Sequence, residues 1–278
     1  MSRLADGTEK LVGEAGVNGR GNSSGRPEID QSKRLAIEAV PELFCHPRPS
    51  NHVLGPERSY KAAWERFRFL EHRLRRVRET RPLTRILVSS CVPKEGKTVV
   101  AVNLAITLAR NSSRVLLIDA DLRRPGIRYT LGLPEMPGLA ECLDGRAKLA
   151  EVIRRVTPFG FYHLASGHTR VNPLDLLQRS STAAVVEQCR EFDWTIIDSP
   201  PIEPFADAQC LSLHVDMALL VIRAGMTRQS DLKDALAMLG SDTAIGVVLN
   251  ACDDPRHDGY YGRYRKHISA DGSTEVRT

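Results

Sequence analysis

At 278 residues, 42% hydrophobic and 26% charged, the chain has apolar material for one sizeable α/β domain with a tail, or for two small domains. Six scattered cysteines (Cys45, Cys91, Cys142, Cys189, Cys210, Cys252) form no C-x-x-C pair, which argues against a zinc or iron–sulfur site and for a reducing cytoplasm. No run of about 18 apolar residues and no leading apolar segment of signal-peptide type occurs, so neither membrane spanning nor secretion is expected, and a net charge of +5 is too mild to name a polyanionic partner by itself.

Residues 1–54 are rich in Gly, Ser, Glu, Arg and Pro with little apolar periodicity, and the expectation is a disordered N-terminal region. Glu57–Glu79 reads as a long amphipathic helix: Tyr60, Trp64, Phe67, Leu70 or Leu74, and Val77 recur at three- and four-residue steps, and Pro82 stops it. Its Arg- and Lys-filled face reads equally as a solvated surface or as a site for an anionic partner, and the helix itself packs on this domain or on a neighbouring subunit.

Leu83–Thr98, LTRILVSSCVPKEGKT, is a short apolar strand running into a turn that ends Gly96-Lys97-Thr98, followed by helical spacing at Val99, Val102, Leu104, Ala105 and Leu108. Strand, loop and helix together are the frame of a phosphate-binding loop, in which unpaired N–H groups and the helix dipole favour an anion. The loop residues Pro93, Lys94, Glu95, Gly96, Lys97, Thr98 and Val99 are therefore the candidate nucleotide contacts, Lys97 supplying charge for the terminal phosphates and Thr98 a hydroxyl for magnesium. The position where such loops begin with glycine is Cys91, a departure from the pattern.

Beyond the loop, strand and helix alternate. Predicted strands are Arg85–Ser89, Val115–Asp119, Tyr162–Ala165, Thr195–Asp198, Ala218–Ile222 and Gly246–Asn250; predicted helices are Thr98–Arg110, Gly138–Leu143, Leu149–Arg155, Thr182–Glu191, Asp207–Leu213 and Gln229–Leu239. Continuous apolar strands suit a mostly parallel sheet with helices on both faces, a three-layer α/β/α domain over 55–252, and 253–278 reads as a flexible tail. VLLIDADLRRP delivers Asp119 and Asp121 to the carboxyl end of a buried strand, where ligands bind in open α/β sheets, and WTIIDSPP does the same for Asp198. Two carboxylates at alternate positions can share a metal or divide base and metal work; an aspartate after a buried strand suits the magnesium shell of a phosphate-loop enzyme.

SSCVPKEGKT, VLLIDADLRRP and WTIIDSPP together resemble the Walker A, Walker A′ and Walker B motifs of bacterial tyrosine kinases (BY-kinases) of the CpsD/CapB type, cytoplasmic P-loop kinases of capsule and exopolysaccharide assembly. Loops lacking the first glycine are normal in that family. PGLAECLDG, LASG followed by NPLDLL, and GVVLNACD are weaker matches, and the resemblance covers about residues 55–265. It implies ATP and Mg2+ as cofactors, Lys97 on the β- and γ-phosphates, Thr98, Asp119 and Asp198 on the metal, and Asp119 and Asp121 positioning or deprotonating an incoming tyrosine, with Lys97, Asp119 and Asp121 as the catalytic set. It also places Asn250 near adenine. The acceptors it implies are Tyr260, Tyr261 and Tyr264, half of the six tyrosines of the chain. The same resemblance implies a homo-oligomer, a membrane polysaccharide co-polymerase or chain-length determinant as partner, a place at the inner face of the cell membrane through that partner, and room for a cognate tyrosine phosphatase, with no nucleic acid. One motif departs: the family's oligomerisation helix carries E-x-x-R-x-x-R, and here Glu65 and Arg68 are followed by Glu71.

The alternatives are a ParA/MinD-like ATPase switch in partitioning or division-site positioning, a metal-cluster carrier ATPase, and a weak enzyme that binds ATP and scaffolds assembly. Val92 stands where the first of these places a signature lysine, and the second needs paired cysteines.

Overall fold

The structure, a computed structural model, describes residues 40–55, 61–111, 113–240 and 243–252. Five strands are apolar almost throughout and pair in parallel at its centre: β2 (Arg85–Ser90), β3 (Val115–Asp119), β5 (Tyr162–Leu164), β6 (Trp194–Asp198) and β7 (Met217–Arg223). With β1 (Glu42–Phe44), β4 (Arg154–Thr157) and β8 (Ala244–Asn250) they make an eight-stranded sheet in the order β1-β4-β5-β3-β6-β2-β7-β8, parallel except between β4 and β5. The register Asp119↔Asp198 between β3 and β6 and Val88↔Asp198 between β2 and β6 brings three strand ends level at one edge. The order of the central strands reverses there, which opens a crevice where ligands bind in such sheets.

Alternate side chains of the same strands feed two cores. Ile86, Val88, Val115, Leu117 and Ile196 face α2 (Lys97–Arg110) and α3 (Ile127–Leu131). Leu87, Leu116, Ile118 and Ile197 face the opposite layer, which includes α4 (Leu139–Leu143), α6 (Pro173–Leu177), α7 (Ser180–Gln188) and α8 (Asp207–Ser212). α9 (Gln229–Leu239) joins this second core through Ala235 and Leu239. Residues Val100–Leu108 of α2 are all buried, so this helix is held by packing on every side, which fixes the loop that precedes it.

α1 (Lys61–Thr80) packs on α2 within its own domain, and its arginines take part. The Arg78 guanidinium lies over the buried Trp194 ring at 4.7 Å, and Arg110 of α2 lies over Trp64 at 4.4 Å. Glu71, the residue that breaks the E-x-x-R-x-x-R pattern, is buried at 4% exposure. Its carboxylate accepts from Asn111 Nδ2 at 2.6 and 2.8 Å and from Arg75 Nε at 2.9 Å, so it ties α1 to the end of α2. Glu65 and Arg68 form only an exposed pair at 3.5 Å.

Two expectations are corrected. The segment Leu149–Arg155 is a short helix, α5 (Leu149–Val152), which stops before β4, so its two arginines belong to a strand. Residues 40–54, expected to be disordered, are folded onto the domain: β1 pairs with β4, and Leu54 is 1% exposed, its N–H donating to Asn103 Oδ1 at 2.8 Å while Asn103 Nδ2 donates to the His52 carbonyl at 2.9 Å. A buried asparagine on α2 thus holds the lead segment against the domain. Tyr60 and the tail, with Tyr260, Tyr261 and Tyr264, lie outside the described residues.

Candidate active site

The strand end Ser89-Ser90 passes into a loop that turns through two left-handed residues, Lys94 (φ 70°) and Gly96 (φ 94°), before α2 begins at Lys97. Glycine at 96 is required twice over: an L residue is strained at that φ, and a Cβ there would strike the Asn250 amide. The loop is braced from inside. Glu95 is fully buried; one carboxylate oxygen accepts the Val92 N–H at 2.9 Å and the other meets the Thr227 hydroxyl. From the neighbouring strand ends, Asn250 Nδ2 donates to the Glu95 carbonyl at 2.8 Å and Arg223 Nη1 to the Lys94 carbonyl at 3.2 Å.

These contacts sharpen the roles read from the sequence. The Glu95 side chain is spent on the loop itself, leaving the loop's backbone to face an anion. Asn250 reaches the site as a clamp on that backbone. Cys91, in the place of the expected glycine, points into the core at 1% exposure, and burial pushes its thiol up to about 12, so it is packing and not a reactive group. The absent glycine therefore costs the loop nothing on its ligand side.

Lys97 crosses the mouth of the loop. Its Nζ lies 3.0 Å from Asp121 Oδ2, 3.9 Å from Asp198 Oδ1 and 3.4 Å from Thr98 Oγ1. Burial alone lowers its pKa, but the charges of Asp198, Asp121 and Asp119 more than offset that and leave it above its ordinary value, so the ammonium is permanently charged. Asp121 uses its other oxygen to accept the Arg124 N–H at 2.9 Å. Asp119, 2% exposed, accepts from the Asp121 N–H at 3.3 Å and the Ile127 N–H at 3.1 Å. Burial, joined by the Asp198 charge, holds Asp119 well above the usual carboxylate range.

Asp198 is the outlier. It is fully buried, neither carboxylate oxygen has a partner at full hydrogen-bond geometry among the described residues, and burial pushes it up to about 6 against the pull of Lys97 and of the neighbouring Thr98 hydroxyl. An unsatisfied buried carboxylate costs a fold several kcal/mol, on the order of 2 to 7 for a polar group, and persists where a ligand completes it. Thr98 stands beside it, and a Cβ on Gly126 would come within 2.9 Å of the Thr98 hydroxyl, so the space in front of Thr98 is kept open by a glycine. Thr98, Asp119 and Asp198 are hard oxygen donors with exchangeable positions, the donor set that suits Mg2+ beside a phosphate.

Sequence reasoning missed Gly126, Thr227 and Arg223. Gly126 follows DADLRRP directly and was legible as a breaker; the other two are brought in only by the sheet order. A cavity of about 270 Å3 opens beside Asp119, between α3 and the 165–169 loop, with His163 in its wall. His163 is 1% exposed, its Nδ1 meets the Leu117 carbonyl at 3.0 Å, and burial lowers its pKa to about 4.

Comparison with known proteins agrees with this fold. The profile of the CobQ/CobB/MinD/ParA nucleotide binding domain matches residues 93–268. The tyrosine-protein kinase YwqD of Bacillus subtilis (strain 168) is 32% identical over 204 residues, covering 71% of this chain and 86% of that protein. The kinase domain of VpsO superposes with a TM-score of 0.58 at 32% identity, covering 62% of this chain and 86% of that one. The chimeric protein CapA2B2 shares the fold at a TM-score of 0.68 and 24% identity, covering 77% and 96% of the two chains. The chain belongs to the bacterial tyrosine kinases, within the CobQ/CobB/MinD/ParA nucleotide-binding family.

Proposed function

We propose that the chain is an ATP- and Mg2+-dependent protein tyrosine autokinase that regulates capsular or exopolysaccharide polymerisation and export. The observation that carries the reading is a charged Lys97 that meets two buried carboxylates, Asp121 at 3.0 Å and Asp198 at 3.9 Å, with a third, Asp119, level with Asp198 on the next strand.

Phosphoryl transfer asks mainly for positioning and charge neutralisation. The loop N–H groups and Lys97 bind and orient the nucleotide phosphates. Thr98, Asp119 and Asp198 would hold Mg2+, which would supply charge screening of the transferring group. Asp119 and Asp121 orient the acceptor hydroxyl, and a carboxylate of this pair takes its proton. The cavity beside Asp119 has room for a phenol side chain at its ring edge.

The acceptors in this reading are Tyr260, Tyr261 and Tyr264, reached from another copy in a homo-oligomer. Each phosphate adds about 1.5 to 2 negative charges among Arg263, Arg265 and Lys266, which weakens subunit contacts and gives a cognate tyrosine phosphatase its substrate. No helix among the described residues is long and apolar enough to cross a membrane. In this reading a polysaccharide co-polymerase of the chain-length determinant type is the partner that holds the chain at the inner face of the cell membrane. Incubation of the protein with ATP and Mg2+ tests the reading: phosphotyrosine that forms in the wild type and not in Lys97→Met supports it, and free phosphate released with no phosphotyrosine, also in the presence of the partner's cytoplasmic segment, overturns it.

A further inference from the structure

Arg123 follows Asp121 by two residues, and its side chain joins three loops at the sheet edge. Nε donates to Asp207 Oδ2 at 2.9 Å, Nη2 donates to Asn172 Oδ1 at 3.3 Å, and the guanidinium plane lies over the Phe205 ring at 4.2 Å. Asn172 caps α6 by accepting the Leu174 N–H at 3.1 Å. Phe205 and Asp207 end the segment that begins at Asp198-Ser199. Asp207 is fully buried, and its Oδ1 has no hydrogen-bond partner among the described residues. A buried carboxylate with one free oxygen depends on its counter-charge, so the single Nε–H contact from Arg123 fixes where this segment lies.

We propose that Arg123 is a positioning residue for the three site carboxylates: through Asp207 it ties the turn carrying Asp119 and Asp121 to the segment leaving Asp198, and so sets the spacing in which the metal is held. The proposal rests on the reading of Asp119 and Asp198 as metal ligands. It is distinct from a role in binding phosphate, because the guanidinium is committed to Asp207, Asn172 and Phe205. The pairing also explains why a charged residue, and not a hydrophobe, occupies position 207 at the start of α8.

The test measures the melting temperature of the full chain with ADP, across a magnesium titration and in EDTA, for wild type, Arg123→Gln, Asp207→Asn and the double variant. Outer partners of metal ligands are worth about 10- to 100-fold in metal affinity, so each single variant is expected to raise half-saturating Mg2+ about tenfold. The EDTA shift with ADP stays within about twofold, and the double variant matches the singles because one link has been cut. Arg123→Lys keeps the charge and loses the planar guanidinium that reaches Asp207 and Asn172 together; it is read the same way if Arg123→Gln does not fold. Unchanged magnesium dependence, or loss of ADP binding in EDTA in the same proportion, overturns the proposal. Because no tyrosine transfer is measured, a chain that binds Mg2+ and ADP without ever labelling tyrosine contradicts the kinase reading and leaves this test standing.

Discussion

Asp198 Oδ1 lies 3.9 Å from Lys97 Nζ, too far for a direct hydrogen bond, although Asp198 is buried and the half-buried lysine is of opposite charge. Asp121 takes the close contact with the lysine, at 3.0 Å. The arrangement keeps one carboxylate of the strand-end trio unspent.

Keeping it unspent has a cost in the fold and a return in the site. Asp198→Asn removes a buried charge, so the ligand-free protein at pH 7.5 is expected to melt a few degrees higher, each kcal/mol being worth roughly 2 to 4 °C at this size. The same variant should lose the extra stabilisation by Mg2+ with ADP and at least about 100-fold in phosphoryl transfer. A lower melting point with intact magnesium response would contradict the assignment.

The pH dependence of ligand binding follows from the same residue. Asp198 is raised to about 6, above its unfolded value near 3.9, so folding favours its protonated form. Its contribution is fully favourable below about pH 4 and is lost as pH rises through 6. A bound cation needs the ionised form. Magnesium-dependent nucleotide binding should therefore weaken as pH falls through 6, with proton release measurable by calorimetry in buffers of different ionisation enthalpy. The release should shrink in Asp198→Asn, leaving the part contributed by Asp119.

His163 works in the opposite direction. Its folded pKa, about 4, lies below the ordinary value near 6.5, so its contribution to stability is present above pH 6.5 and is lost as pH falls toward 4. The ring protons of His163 should show no titration step near 6.5 in an NMR pH series on the folded protein. A step at that pH would place the ring in solvent.

The open space in front of Thr98 gives a steric prediction. Gly126 has an ordinary φ of −107°, so Gly126→Ala carries no backbone strain, yet its Cβ would lie 2.9 Å from Thr98 Oγ1. Melting temperature should stay within a few degrees while transfer falls about 10- to 100-fold, the size expected when a ligand atom is displaced by an ångström. Equal losses in stability and activity would mean the glycine serves packing only.

Glu71 predicts a stability effect at a distance from the chemistry. Glu71→Ala leaves the Asn111 amide and the Arg75 guanidinium without their acceptor and should cost about 1 to 3 kcal/mol, read by urea unfolding. Arginine at this position, which would complete E-x-x-R-x-x-R, places an unpaired cation in a 4%-exposed site and should cost more. The substitution of glutamate for that arginine is thus explained by intramolecular docking of α1.

The phosphate loop and both strand-end aspartate motifs were legible in the sequence because each is contiguous: an apolar strand, then the polar residues it delivers. What escaped was set by tertiary context. RRVT at 154–157 follows a helical turn and carries two arginines, so its pattern continues the helix until pairing with Tyr162 and Glu42 makes it a strand. The three-residue β1 is too short for any period to show. The Asn250 clamp on Glu95 joins residues 155 apart in sequence, and no local pattern announces it.

The claim that Lys97 and its carboxylates move a phosphoryl group onto the tail is tested most directly by mapping phosphate after incubation with ATP and Mg2+. Fragment masses should place it on Tyr260, Tyr261 or Tyr264, and the triple Tyr→Phe variant should retain ADP binding while losing the label. Phosphotyrosine that persists in the triple variant, or that forms undiminished in Lys97→Met, would contradict the account.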